Sequence, residues 1–136
     1  MHVSTHVKNF EHQLLNSNLT GEKKCGIFTL ALSNTDTPTT PEEQVAMYRI
    51  LADSKHAGPV AAMQTVLKAT GAISDFVAGG IFFLFAASDR VTCEDILAVK
   101  AECLSNGLRP ELTTTVNTAL HRFHDVVHAA PAGISH

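Results

Sequence analysis

The octapeptide HRFHDVVH, residues 121–128, places three histidines and an aspartate within eight positions. On a helix, His124 and His128 stand one turn apart, the spacing that lets two imidazoles share a zinc ion. His121 or Asp125 lies near enough to act as a further ligand. The glutamate of an HExxH motif is missing, so no general base accompanies the pair and no independent ligand can be assigned. His2, His6 and His12 contribute only if the amino-terminal helix packs alongside. The same imidazoles would charge together near pH ~6, and at a subunit boundary their repulsion would make an assembly acid-sensitive.

Helical geometry ranks these chemistries. With about 100° per residue and Leu120 as the zero direction, Leu112, Val116, Ala119, Phe123, Val126, Val127 and Ala130 form an arc ~120° wide that ends at Leu120. His124, His128 and His121 fall roughly 40°, 80° and 100° beyond that edge, with Asp125 further round. They border the core without entering it. A solvated flank beside the core satisfies this placement with no further requirement, and it is the reading adopted. His121, His124, His128 and Asp125 stand as the metal candidates, and the three histidines as pH-sensing candidates.

The elements that must position this stripe are helical. Val3, Val7, Phe10 and Leu14 recur along one helix face before NSNLTG interrupts it. The apolar run Ile27–Leu32 fits a buried strand or a helix; helix is preferred because no partner strand is found elsewhere. A linker at 33–40 ends in a helix start, with Thr40 as N-cap, Pro41 at the first position, and Glu42 and Glu43 in the first turn. That helix is expected to reach about His56, with Met47, Tyr48, Ile50 and Leu51 as its apolar side and Ala57-Gly58-Pro59 as its break. A short helix with Val60, Met63 and Leu67 on one face comes next, up to Gly71. The Thr-Pro pairs at 37–38 and 40–41 read as loop and cap chemistry before they read as kinase sites.

Residues 72–88 contain the most apolar stretch, FVAGGIFFLFAAS, expected as a central helix buried on nearly all sides. Its apolar residues fall short of the ~20 that a membrane span needs. Gly79 and Gly80 suggest that a neighbouring helix approaches closely, with a kink as the alternative. Thr92 and Asp95 match a capping box, Asn106-Gly107 a left-handed stop, and Pro110 opens a last helix to about Ala130, with a loose tail at 131–136. The expected architecture is therefore an all-α bundle of five to six helices in a single domain, 1–136, around the 72–88 helix.

Composition narrows the function. Of 136 residues, 17% are charged, below the usual ~25%, which points to a surface partly covered by another subunit or a partner. The net charge is −3 and the ten basic residues are scattered, which disfavours nucleic-acid binding. Cys25, Cys93 and Cys103 include no CxxC pair, and the amino terminus lacks a signal-peptide pattern; the chain is read as cytoplasmic with reduced thiols. Phosphate-loop, dinucleotide, nucleophile-elbow and zinc-protease motifs are absent. Cys93 falls in a first helical turn, but Glu94 and Asp95 oppose a thiolate there. The preferred function is a non-enzymatic, self-associating interaction or assembly module that needs no cofactor. The alternatives are a metal-binding or histidine-dependent helical enzyme and a nucleic-acid-binding or encapsidating helical protein.

Overall fold

The computed structural model describes residues 5–15, 18–33, 39–105, 107 and 109–121. In chain order it contains α1 (Thr5–Leu14), α2 (Gly21–Leu32), α3 (Pro41–Asp53), α4 (Gly58–Lys68), α5 (Asp75–Ala87), α6 (Cys93–Ser105), and a 3₁₀ turn at Pro110–Leu112. A further helix, α7, occupies 113–121. No strand occurs among the described residues, so the all-α class holds and the 27–32 run is helical.

Local chemistry accounts for most helix starts. Thr20 caps α2 by accepting from Lys23 N, and Ser74 caps α5 by accepting from Val77 N. At α3, Thr40 and Glu43 form the reciprocal capping box, with Glu43 Oε1 2.7 Å from Thr40 N. Thr92 and Asp95 repeat the arrangement ahead of α6. The Thr40 hydroxyl is thus engaged in a cap, while Thr37 lies outside the described residues.

Besides α4 ending at Lys68 rather than near Gly71, and Pro110 opening a 3₁₀ turn rather than an α-helix, two boundaries differ from the sequence expectation. The helix α3 stops at Asp53, short of His56, because Ser54 turns extended and His56 takes a positive φ of 72°. Gly58 and Pro59 open α4, since a proline in the first helical turn removes only an N–H that has no helical acceptor. The second difference concerns the central helix. It spans Asp75–Ala87, narrower than 72–88, and it is not enclosed: Phe76 is 90% exposed.

The core gathers Phe10 and Leu14 from α1, Phe28 from α2, Met47 and Leu51 from α3, Met63 and Leu67 from α4, and Ile81, Phe82 and Phe85 from α5. Phe10 and Phe28 meet edge to face at 5.7 Å, which seats α1 on α2. Gly21 lies so close to the loop after α3 that an added Cβ would overlap the His56 carbonyl.

The C-termini of α3 and α4 are closed by cations arriving from elsewhere in the chain. Neither α3 nor α5 has a basic residue in its own last turn. Arg90 donates to Ala52 O at 3.1 Å, and buried Lys24 donates to Lys55 O at 2.7 Å beyond the same helix end. Arg109, only 2% exposed, does this most completely. Its Nε donates to Leu67 O, its Nη2 to Val66 O and Ala69 O, and its Nη1 to Asp75 Oδ1 at 2.8 Å. One guanidinium therefore closes the end of α4, pairs with the start of α5, and fixes the chain entering the 3₁₀ turn.

Arg109→Met should lower unfolding free energy by about 3 kcal/mol, because it removes a buried charged donor from four acceptors at once, although Val66 O and Ala69 O keep their backbone N–H donors. Asp75→Asn should cost ~1 kcal/mol or less, since Asp75 is partly solvated and the carbonyl bonds remain. Urea denaturation of both variants checks the order; equal losses would contradict it.

Candidate functional site

Among the sequence-derived candidates, His121 is the only one the structure describes. It ends the described part of α7, with its side chain exposed. His124, Asp125 and His128 lie outside the described residues, as do His2 and the tail at 131–136. The described residues contain no group of three or more His, Cys, Asp or Glu able to hold a metal ion. His6 Nδ1 lies 2.8 Å from Glu43 Oε2, tying α1 to the start of α3. His12 is exposed on α1.

Cys25 is half-buried with Sγ 3.9 Å from Ala61 O, and Cys93 is exposed in the first turn of α6 beside exposed Glu94. The side chain of Cys103 is outside the described set. Burial pushes the Tyr48 phenol well above its ordinary range, with Asp53 adding to the shift and Arg49 opposing it. Tyr48 is therefore neutral and is no general base at ordinary pH.

The feature that stands apart is α5. Between Asp75 and Ser88 it carries no polar side chain. At ~100° per residue, Phe83, Phe76, Ala87, Gly80 and Leu84 fall in that order within an arc of about 100°. This is the arc that faces outward. Phe76, Gly80 and Ala87 are exposed, and Phe83 and Leu84 are half-buried. On the opposite side Ala78, Ile81, Phe82 and Phe85 are fully enclosed.

Two adjacent glycines divide the two environments. Gly79 is buried, and a Cβ there would sit 3.0 Å from Thr115 Cγ2, so α7 packs directly on its backbone. Gly80 is exposed, and a Cβ there would meet no described residue within 4 Å. The close approach expected from the sequence thus applies to Gly79 alone. Over the outward arc lies a groove of about 460 Å³, walled by Pro41, Glu42 and Val45 of α3, by Phe76, Gly80 and Phe83 of α5, and by Thr115. The charged residues on its wall are Glu42 and Asp75, both acidic.

A solvent-facing helix surface ordinarily carries charge, and large apolar side chains clustered there mark contact sites. Reading the sequence as an enclosed helix missed this face. The signal was present in the shared arc of positions 76, 80, 83 and 87, but a helix apolar all round does not declare which arc is open.

No helix among the described residues is long and apolar enough to cross a membrane. Gly80→Ala should raise the thermal stability of the dilute protein, by up to about 1 kcal/mol, through helix propensity alone. Gly79→Ala should bring no such gain, because its Cβ presses on Thr115. Thermal melts of the two variants test this; equal gains would contradict the packing of α7 on α5. No protein-family model, no curated protein and no solved structure matches the chain.

Proposed function

We propose that this chain is a non-enzymatic helical interaction or assembly module that works by self-association through the outward face of α5. The single observation carrying this reading is Phe76, 90% exposed on an uncharged helix face and beside an apolar groove. Leaving a phenylalanine in water forgoes ~1.5–3 kcal/mol relative to burying it, a cost that a covering partner removes. Sparse charge over the whole sequence agrees with a surface that is partly covered in use.

Nucleic-acid binding receives less support. Lys24, Arg90 and Arg109 are engaged in closing helix ends, which draws on an already small set of ten cations. Phosphate contacts need several exposed cations on one face, and the groove carries acids instead.

In-cell photo-crosslinking tests the reading. A photoreactive phenylalanine analogue at position 76 should yield a protein adduct, whereas the same group at exposed Leu30 on α2 should yield little. Equal yields, or none at position 76, would contradict an α5 contact site.

A further inference from the structure

A smaller cavity, about 200 Å³, lies apart from the groove over α5, between the last turns of α3, the start of α4 and the carboxyl-terminal end of α5. Tyr48 is the group it singles out. Tyr48 is 3% exposed and lies on the cavity wall, and its hydroxyl has no hydrogen-bond partner among the described residues. Asp53 and Arg49, on the same wall, both act electrostatically on the phenol, which places the hydroxyl end of the ring near them. A nearly buried hydroxyl with no partner in the protein takes its acceptor from whatever fills the cavity.

The charges on the wall favour an anion. Arg90 is already engaged: it donates to Ala52 O and pairs with Asp53 at 3.5 Å. Those two charges offset each other. Asp89 is exposed and is not on the wall, and Glu11 lines only the neighbouring cavity. Arg49 is left over, exposed and in none of the described ion pairs.

We propose that this cavity binds a short-chain carboxylate, its head on the Arg49 guanidinium and the Tyr48 hydroxyl and its alkyl part against Ala52, Pro59 and Leu84. A guanidinium fork matches the two oxygens of a carboxylate, and the neutral phenol adds one more donor. Volume limits the size. At ~30 Å³ for each water-sized group, the cavity holds about six or seven non-hydrogen atoms, the size of butyrate. Inorganic phosphate would meet the same donors but has nothing to set against the apolar side. The site shares only Leu84 with the outward arc of α5, so it stands or falls separately from the self-association reading.

Tyr48 reports on its own cavity, because the chain has one tyrosine and no tryptophan. Sodium butyrate titrated into the untagged full chain at fixed ionic strength should change the tyrosine fluorescence saturably. So few atoms set a dissociation constant of order millimolar. Butyramide, which keeps the shape and loses the charge, should bind at least ~10-fold more weakly, and so should inorganic phosphate. Amide chemical shifts of ¹⁵N-labelled protein follow the variants, since Tyr48→Phe removes the fluorophore. Arg49→Gln and Tyr48→Phe should each weaken butyrate binding about 10-fold. Lys23→Gln, at an exposed position on α2, should leave it unchanged. Arg49 is exposed, so its variant tests the site even where loss of the Tyr48 hydroxyl disturbs folding. No saturable response up to ~50 mM butyrate overturns the proposal. Butyramide or phosphate binding as tightly as butyrate overturns it too, as does wild-type affinity in Arg49→Gln.

Discussion

Arg109 is the residue on which the placement of α5 depends. Three backbone carbonyls at the end of α4 and one carboxylate at the start of α5 accept from a single buried guanidinium. The last carbonyls of a helix have no acceptor role inside it and carry the negative end of its dipole. Val66 O and Ala69 O also accept backbone N–H bonds, and the guanidinium adds charged donors to them and to Leu67 O from one rigid planar fork. Arg109 itself takes φ −150° and ψ 75°, outside both the helical and the extended regions, immediately ahead of Pro110.

That anchor fixes an orientation. Asp75 is held to the α4 end, Gly79 is held beneath Thr115, and Ile81, Phe82 and Phe85 fill the core. These constraints set the rotation of α5 and leave one arc over. The arc left over is apolar, with Phe76 its most exposed residue. A sequence under no demand at that surface would place lysine or glutamate there, as most solvent-facing helix positions do. The groove beside it, with an apolar floor and an acidic edge, gives the face depth as well as hydrophobicity.

Much of this fold was legible in the chain because its determinants are local. The Thr40–Glu43 and Thr92–Asp95 boxes need only residues three apart, and Val7, Phe10 and Leu14 mark a face by periodicity. The 27–32 run was ambiguous until its surroundings were known; Thr20 starts the helix, and Lys24, Phe28 and Leu32 are its buried positions, one turn apart. Three features could not be read in advance. The break at Ala57-Gly58-Pro59 and the helix after it were legible, but not the early stop of α3 at Asp53, where Ser54 turns extended and His56 takes a positive φ. Arg109 finds its carbonyls about 40 residues back in the chain, and no local pattern marks such a partner. The open side of α5 was hidden by its own uniformity. As for the histidine stripe, His121 alone falls within the described residues, so the sequence geometry of His124, Asp125 and His128 stands as an expectation.

The central claim is that the outward face of α5 is covered when the protein is at work. Hydroxyl-radical footprinting tests it most directly, by comparing Phe76 in cells with Phe76 in dilute purified protein and using exposed Leu15 and Leu30 as internal references. Selective protection of Phe76 in cells, with Leu15 and Leu30 modified equally in both settings, is the expected result. Equal modification of Phe76 in the two settings would contradict the claim.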